Sequence, residues 1–467
     1  MAKRSVVVMG AGVTGLSVCI LLARDGHRVT LVDRDSLDVG EPLAAVDWPR
    51  AGIPHFLLPH AFIPRGRELL LDQFPDVYAA LIGAGARDVD TRPKIPGPPS
   101  EGDEQLQYVA VRRPLIEWAL RRAVHGEPLI DIRDATHVTG FSWDGGRVRG
   151  VQVDDGELAA DVVVDALGRR SPASKWLGQR GIDVTAAESS DCSVIYYSRY
   201  YRQAPGFELP DGPWLFGPRG DLGYLGFSLF PGDNDTLAAL LAVPTGDPQW
   251  RGLKNAEVFE AAVASIPAMR AWIDPAGVEP ITGVLPMAGL RNTLLDAEPM
   301  LAAGLVPVGD AYGHLDPVLA HGLAFGMIHA VELTRCLDQY DDLDEALAAY
   351  GAATRPALRE RFDFATELDA QRHRGWMGER VDVAHRGGDY ALFSLVAAGA
   401  AASVDPEVFR VFVRRTGLLD STGVLDDDMA LQTRIEDLFA QILTTPRPAP
   451  GPSRAEMVAL MTAAATD

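Results

Sequence analysis

A glycine-rich turn between a strand and a helix lies near the start of this chain. The β-branched residues 6–8 lead into residues 10–15, whose sequence is GAGVTG, and an apolar helical stretch follows. A second strand over residues 29–32 ends at Asp33. Because this order of elements is that of a βαβ unit, it limits the start of the chain to a parallel α/β fold.

The spacing of the three glycines has a physical reason. The first permits the tight turn, the second lets backbone approach a pyrophosphate, and the third lets helix and strand pack closely. The carboxylate of Asp33 is placed to accept hydrogen bonds from a ribose. The pattern predicts a dinucleotide site, and the alternative is a βαβ turn without a ligand. The predicted residues are Gly10, Gly12, Val13, Thr14, Gly15, Asp33 and Arg34.

Length and composition narrow the class further. The 467 residues suggest two or three domains, and 47% hydrophobic residues suffice for a large core. A formal charge of −21 argues against nucleic acid and anionic membranes as partners. The apolar stretch at residues 390–404 is too short to span a bilayer, so we expect no integral membrane segment. Cys19, Cys192 and Cys336 are isolated, which predicts a cytoplasmic protein without a metal site.

Two later segments repeat the pattern of a buried strand followed by an acid. Residues 162–165 end at Asp165, and residues 306–308 precede Gly309 and Asp310. An acid at the end of a strand beside the glycine loop can accept hydrogen bonds from the ribityl hydroxyls of a flavin. The helix that starts after Gly322 can direct its N–H groups and positive dipole at the electron-rich edge of the flavin ring.

Together these motifs resemble the FAD-dependent monooxygenases of the para-hydroxybenzoate hydroxylase-like fold, over about residues 4–340. Residues 50–53 are similar to the family's Arg-x-Gly-Val segment, whose arginine meets the FAD diphosphate and whose backbone lines the isoalloxazine. Arg113 matches a helix-start arginine that contacts FAD. Residues 50–70, which include His60, resemble the squalene-epoxidase-like branch with its polyether epoxidases. The resemblance adds these cofactor residues: Arg50, Gly52, Ile53, Arg113, Asp165, Gly309, Asp310, Gly322 and Leu323.

The resemblance implies a Rossmann-type α/β FAD-binding domain that is interrupted by an antiparallel β-sheet substrate domain and followed by a C-terminal helical region. The expected FAD-binding segments are 1–75, 108–190 and 281–345, the sheet domain comprises 76–107 and 191–280, and the helical region is 346–467.

The chain departs from the family in the loop over the flavin. The family has Pro-x-x-Gly-x-Gly there, whereas this chain has Ala320 and His321 before Gly322. An alanine is unstrained at negative φ but disfavours a left-handed backbone, so we expect a differently shaped loop. Asp33 also replaces the more common glutamate.

Two histidines are the candidate catalytic residues. His60 lies in the segment expected near the flavin and is a candidate proton donor or substrate contact. His321 lies in the flavin loop, where it can tune the ring or donate a proton. The alternative for both is a structural histidine with a satisfied hydrogen bond.

Aromatic residues of the middle segment are the candidate substrate contacts. The tyrosines between residues 196 and 201 alternate along a strand, so two are expected on each face. A pocket walled by aromatic side chains suits a bulky apolar substrate. Packing of the sheet against helices is the alternative. The predicted substrate residues are Tyr196, Trp214, Tyr224 and Phe227.

The resemblance implies an enzyme of secondary metabolism that uses FAD, NAD(P)H and O2. NAD(P)H reduces the flavin, and a flavin C4a-hydroperoxide delivers one oxygen atom to a bulky apolar or aromatic molecule, by hydroxylation or epoxidation. NAD(P)H binds transiently, where Arg169 and Arg170 can meet its phosphates, or a partner flavin reductase supplies reduced flavin.

Three alternatives stay open. A flavin-dependent halogenase shares the fold, but no Trp-x-Trp-x-Ile-Pro segment is present and Lys94 is the one lysine worth testing. A reductase or cyclase of the geranylgeranyl-reductase type would use FAD without O2. A nucleotide sensor without catalytic activity would use the same glycine loop.

Overall fold

The computed structural model describes residues 3–50, 52–53, 55–182, 184, 188–210, 212, 216–295, 302–446 and 449–466. The strands are β1 Ser5–Met9, β2 Arg28–Val32, β3 Ala61–Phe62, β4 Arg87–Val89, β5 Tyr108–Ala110, β6 Ile130–Arg133, β7 Val138–Asp144, β8 Arg147–Val153, β9 Gly156–Ala159, β10 Val162–Asp165, β11 Glu188–Asp191, β12 Val194–Gln203, β13 Arg219–Asp221, β14 Gly226–Pro231, β15 Thr236–Pro244, β16 Val278–Pro280, β17 Leu285–Met287, β18 Arg291–Leu294, β19 Leu305–Pro307 and β20 Gly313–His314.

The helices alternate with these strands and then dominate the last third of the chain. They are α1 Val13–Arg24, α2 Pro64–Gln73, α3 Pro75–Gly83, α4 Arg113–Gly126, α5 Ala173–Gly178, α6 Ala256–Ala264, α7 Pro267–Arg270, α8 His321–Gln339, α9 Leu343–Trp376, α10 Tyr390–Ala402, α11 Pro406–Thr416, α12 Gly423–Asp426, α13 Met429–Thr444 and α14 Arg454–Ala464.

A parallel sheet of order β19-β10-β1-β2-β6 forms the first layer. Its strands are rich in valine because both faces are buried, as is usual in parallel sheets. Val6 and Val8 pack with α1, α4 and α8, whereas Val7 and Met9 pack under the meander of β7, β8 and β9. The carboxyl ends of β1, β10 and β19 therefore meet at one edge, although they lie far apart in the sequence.

A second, antiparallel sheet of order β13-β14-β15-β12-β16, with β17 also paired to β12, forms the other large layer. Its outer face carries Tyr197, Tyr201 and Phe227 and packs on α6, α7 and α14. Its inner face, defined by Tyr196, Ser198, Tyr200, Gly226, Ser228 and Leu240, is turned toward the parallel sheet's edge. Two tyrosines thus lie on each face, as the alternation predicted.

The C-terminal helices belong to two different cores. Helices α10, α11 and α13 pack together as a small bundle beside α9. Helix α14 leaves that bundle and packs on α6, where Met457 and Met461 are buried in the outer-face core. Within the described part of the chain, we find no helix with the length and apolarity needed to cross a membrane.

Candidate active site

A cavity of about 470 Å³ opens at the carboxyl edge of the parallel sheet, between that sheet and the inner face of the antiparallel one. Most of the predicted cofactor residues line it. The lining includes Gly10, Gly12, Val13, Thr14, Asp33, Arg34, Arg50, Gly52, Ile53, Arg113, Asp310, Gly322 and Leu323. Gly15, Asp165 and Gly309 are not among the lining residues.

The glycine loop has the geometry of a phosphate-binding turn. Gly10 has a φ of +101°, and a Cβ on it would lie 2.7 Å from the Ala166 carbonyl oxygen. A Cβ on Gly15 would lie 1.9 Å from the carbonyl oxygen of Gly10, so both positions require glycine for the fold itself. A Cβ on Gly12 would meet nothing nearer than Arg113 Nη2 at 3.6 Å, because this backbone faces the cavity. The open backbone at Gly12 fits the close approach of a pyrophosphate.

Asp33 and Arg50 brace this loop. Asp33 Oδ2 accepts a hydrogen bond from the Ala11 N–H at 2.6 Å. Arg50 donates through Nη2 to the Ala11 carbonyl at 2.9 Å and through Nη1 to Asp35 Oδ2 at 2.8 Å. Burial alone would lower the pKa of Arg50, but Glu117, Asp33 and Asp35 raise it. The guanidinium is therefore a fixed positive charge beneath the cavity.

Arg113 is held by two residues that sequence reasoning missed. Its Nε donates to Glu117 Oε1 at 2.8 Å, and its Nη1 donates to His55 Nε2 at 2.8 Å. Burial and the charge of Arg113 lower the pKa of His55 well below its ordinary value, so the imidazole is neutral and can accept. The remaining nitrogen, Nη2, points toward Gly12. The spacing of four residues between Arg113 and Glu117 on α4 was the available sequence signal.

Comparisons with known proteins agree with this geometry. No model of a protein family matches the chain. The chain is 26% identical over 457 residues to Protein Rv3254 of Mycobacterium tuberculosis, with 90% of each chain covered. It is 25% identical over 394 residues to kynurenine 3-monooxygenase of Stenotrophomonas maltophilia, which covers 78% of this chain and 79% of the relative.

Solved structures share the fold over most of the chain. PqsL of Pseudomonas aeruginosa, described as a probable FAD-dependent monooxygenase, is similar with a TM-score of 0.59 and 18% identity, over 80% of this chain and 100% of PqsL. The flavin-dependent brominase Bmp2 is similar with a TM-score of 0.58 and 17% identity, over 95% of this chain and 99% of Bmp2. The chain is an FAD-dependent oxidoreductase with the para-hydroxybenzoate hydroxylase-like fold. The fold class and the FAD cofactor predicted from the sequence are confirmed.

Part of the cavity wall is apolar. Leu58, Met287 and Leu290 line the cavity, as does His60. His60 donates through Nδ1 to the Leu58 carbonyl at 2.8 Å, which leaves Nε2 as an acceptor. Burial and the charge of Arg113 lower the pKa of His60 to about 3. His60 is therefore neutral at physiological pH, and a catalytic role for it stays a prediction.

The loop before α8 adopts the left-handed backbone that an alanine was expected to disfavour. Ala320 has a φ of +56° and a ψ of 29°, in the left-handed region that disfavours alanine. His321 is turned away from the cavity and donates through Nε2 to the Thr416 carbonyl of α11 at 3.0 Å. Burial and Arg361 lower the pKa of His321 to about 3. His321 thus ties the start of α8 to the C-terminal bundle, and its predicted catalytic role stays untested.

The three predicted substrate residues that the structure describes, Tyr196, Tyr224 and Phe227, are not among the residues that line the cavity. Tyr224 stacks on Trp250 with ring centroids 5.8 Å apart and donates to the Pro452 carbonyl, and Phe227 is buried in the outer-face core. Tyr196 is on the inner face, behind the lining residues Met287 and Leu290. Trp214 lies outside the described residues.

A buried polar cluster connects the inner face to the flavin loop. Tyr196 donates to Asp316 Oδ1 at 2.6 Å, and Arg372 of α9 donates to both Asp316 Oδ2 and Asp369 Oδ1 at 2.7 Å. Asn292 donates to Asp369 Oδ2 at 2.8 Å. Burial and the neighbouring Asp316 raise the pKa of Asp369 to about 8. Burial alone would also raise the pKa of Asp316, but Arg372 holds it below its usual range.

Proposed function

We propose that this flavoenzyme is a monooxygenase that inserts one oxygen atom of O2 into an aromatic or other bulky apolar small molecule, with NAD(P)H as reductant. The observation that carries the proposal is the continuity of the cavity from the glycine loop to an apolar end at Met287 and Leu290. The kynurenine 3-monooxygenase relatives support it, as does a solved PqsL complex with 2-aminobenzoylacetate.

Bound FAD would supply the electron transfer and the activation of O2 at the ring end of the cavity. The residues of the chain would bind FAD and orient it. The Gly12 backbone and Arg113 Nη2 suit the diphosphate, and the first turn of α8 directs backbone N–H groups and its positive dipole toward the ring end. Met287, Leu290 and Leu58 make an apolar wall that excludes water from the reacting atoms.

Two neighbouring histidines of the cavity are uncharged. His55 and His60 lie with ring centroids 5.8 Å apart, and burial lowers the pKa of both. Because neither is charged at neutral pH, each offers a hydrogen bond without bringing a strong acid to the site. We propose that His60 Nε2, to which no side chain or backbone N–H of the described residues donates, accepts a hydrogen bond from the substrate.

Transient NAD(P)H binding is part of the proposal. Arg169 and Arg170 line the cavity, and burial and mutual repulsion lower the pKa of Arg169. Two adjacent guanidinium groups suit the phosphates of a nicotinamide cofactor. A partner flavin reductase is the alternative source of electrons.

Anaerobic mixing of the FAD-loaded protein with NADH or NADPH tests the electron donor. We expect the flavin absorbance to bleach, and a flavin that stays oxidised with both donors contradicts the single-component enzyme.

A panel of aromatic compounds with O2 then tests the chemistry. A product heavier by one oxygen atom, together with substrate-dependent O2 consumption, is the expected result.

The same assay separates the alternatives. A halogenase gives a product heavier by a halogen only when halide is added; Lys94, which it would need, donates to the Gly212 carbonyl at 2.7 Å and is not among the cavity residues. A reductase or cyclase changes its substrate without consuming O2. A nucleotide sensor holds FAD that no donor reduces.

A further inference from the structure

A buried histidine in the middle of α8 accepts a hydrogen bond that no sequence motif indicated. His329 is 1% exposed, and its Nδ1 accepts from the Gly309 N–H at 2.9 Å. A ring nitrogen that accepts carries no proton, so the single proton of the neutral imidazole is on Nε2. Burial lowers the pKa of His329 to about 3. The ring is therefore neutral at physiological pH, and Nδ1 stays an acceptor.

The other nitrogen of this imidazole is in an unfavourable position. Nε2 is buried and has no hydrogen-bond partner among the described residues. The ring lies among three aromatic side chains, with its centroid 5.6 Å from that of Tyr312, 6.1 Å from that of Phe325 and 6.1 Å from that of Tyr350. A buried donor without a partner costs stability, which an apolar side chain would avoid. The bond that Nδ1 accepts is therefore what distinguishes a histidine from a leucine at this position.

That bond holds a backbone turn against the start of α1. Gly309 has a φ of +55°, and a Cβ on it would lie 2.7 Å from Thr14 Oγ1. Gly326 of α8 packs on the same threonine, because its Cβ would lie 2.2 Å from Thr14 Oγ1. Tyr350 of α9 donates to the carbonyl two residues before Gly309 at 3.0 Å. Two buried side chains, His329 and Tyr350, thus fix this turn from the protein interior.

The residue that follows Gly309 faces the cavity. Asp310 is among the lining residues, and no group of the described part of the chain donates a hydrogen bond to its carboxylate. Its Oδ1 is near the first turn of α8, 3.7 Å from the position of a Cβ on Gly322. Its charge also reaches Arg169, whose pKa it raises against the effect of burial. Asp310 therefore offers an acceptor to the cofactor, at a position that depends on the turn behind it.

We propose that His329 is a positioning residue for FAD, because its bond to the Gly309 N–H fixes the turn that presents the Asp310 carboxylate to hydroxyl groups of the cofactor. The inference rests on the FAD site of the proposed function and not on its oxygen chemistry. Hydroxyl groups form strong, short hydrogen bonds with a charged carboxylate. Since such bonds weaken steeply with distance and angle, a displaced Asp310 should lower the affinity for FAD.

A double-mutant cycle on FAD binding to the apoprotein tests whether His329 acts through Asp310. His329→Leu removes the acceptor, and Asp310→Ala removes the carboxylate. We expect each single variant to weaken FAD binding by about tenfold or more, and the double variant to bind at most about threefold more weakly than Asp310→Ala, because coupled residues have non-additive effects. His329→Asn keeps an acceptor near the position of Nδ1, so its affinity should stay within about threefold of the wild type.

His27→Leu is the matched control. His27 is also 1% exposed, and its Nδ1 also accepts from a backbone N–H, that of Arg4 at 3.2 Å. Arg4 precedes β1, so this bond lies at the edge of the parallel sheet opposite to the cavity. We expect His27→Leu to lower the thermal midpoint of the apoprotein and to leave its affinity for FAD unchanged.

Three results would overturn the proposal: an unchanged FAD affinity in His329→Leu, an equal loss of affinity in His27→Leu, or additive effects in the cycle. Thermal midpoints show whether His329→Leu folds. If it does not, His329→Asn decides, because a loss of about tenfold or more in that folded variant contradicts the role of the acceptor. Since no O2, NAD(P)H or substrate is present, failure of the monooxygenase proposal is recorded separately, in the turnover assay.

Discussion

Single backbone positions determine whether a cofactor can approach this protein. Gly10 and Gly15 are needed for the turn itself, because a methyl group on either would overlap a carbonyl oxygen. Gly12 is different, because no other part of the chain fills the space beside its Cα. That space is therefore available to a ligand. The same motif therefore contains both folding glycines and a binding glycine, and substitutions separate the two.

Gly12→Ala should weaken FAD binding by about tenfold or more, equal to about 1.4 kcal/mol, while the apoprotein stays as stable as the wild type. The added methyl would project into the space for the pyrophosphate. FAD titration and apoprotein melting measure the two effects. Gly387→Ala is the control, because a Cβ there meets nothing within 4 Å. An unchanged FAD affinity in Gly12→Ala would argue against this position of the pyrophosphate.

Ala320→Gly should raise the free energy of unfolding by about 1 kcal/mol, because it relieves a left-handed alanine. Urea unfolding of the FAD-loaded protein measures the change. Ala135→Gly is the matched variant, since Ala135 has a φ of +47° away from the flavin loop. Both variants should gain stability, and only Ala320→Gly should alter the flavin absorbance. A loss of stability in Ala320→Gly would contradict a strained loop.

At the scale of elements, the long helix α9 links the flavin loop to the antiparallel sheet. Arg372 of α9 donates hydrogen bonds to Asp316 of the loop and to Asp369 of its own helix. Tyr196 of β12 donates to the same Asp316. Removing one partner of a buried ion pair leaves an uncompensated charge, which costs more than the pair contributes. The position of the loop over the flavin therefore depends on a helix well outside the three sequence motifs.

Asp369 should make the stability depend on pH. Its pKa is about 8 in the folded protein against an ordinary 3.8, so the folded state binds more protons between these values. Stability should therefore fall as pH rises from about 4 to about 8, by at least about 1.4 kcal/mol, which is the effect of one pKa unit. Asp369→Asn should flatten this slope in chemical unfolding, and the exposed Asp363→Asn on the same helix should not. An equal slope in Asp369→Asn would refute the assignment.

Sequence reasoning succeeded where function depends on local spacing. The turn at Gly10 and the acid at Asp33 follow from the spacing of strand, glycines and helix, and Arg113 follows from the family resemblance. All three line the cavity. It also gave the alternation of Tyr196 and Tyr197 between the two faces. Sequence reasoning could not predict which face of the antiparallel sheet is turned toward the flavin site, since that depends on how the two sheets pack.

Tertiary packing also explains what the sequence could not reveal about His321. The loop position was predicted, but the rotation of the first turn of α8 turns the imidazole toward Thr416, 95 residues later. The Tyr224 hydroxyl likewise donates to the carbonyl of Pro452, 228 residues later. Contacts at such separations leave no periodic signal, so a residue's role there depends on the assembled fold.

At the scale of the whole molecule, the antiparallel sheet is completed by a distant helix. Met457 and Met461 of α14 fill the outer-face core and are 0% and 4% exposed. Tyr224 and the Arg454–Asp247 ion pair hold the start of that helix against the sheet. The outer core therefore contains residues from both the middle and the last part of the sequence.

Met457→Ala should lower the free energy of unfolding by about 2–5 kcal/mol, because it leaves a cavity in a closed core. Met429→Ala, the same substitution at a residue that is 70% exposed, should change it by less than about 0.5 kcal/mol. Denaturant unfolding compares the two, and FAD titration should show no change in either. Similar small effects for both variants would mean that α14 does not support the sheet.

The distant origin of α14 has a consequence for synthesis on the ribosome. Met457 is 213 positions after Pro244, the end of β15 (457 − 244). At roughly 5–20 residues per second, the finished sheet and α6 wait about 10–40 s for the helix that packs on α6. During that interval the apolar surface that Met457 and Met461 cover in the folded protein is open to other nascent chains, so the yield of native enzyme should depend on chaperone capacity more than its final stability suggests.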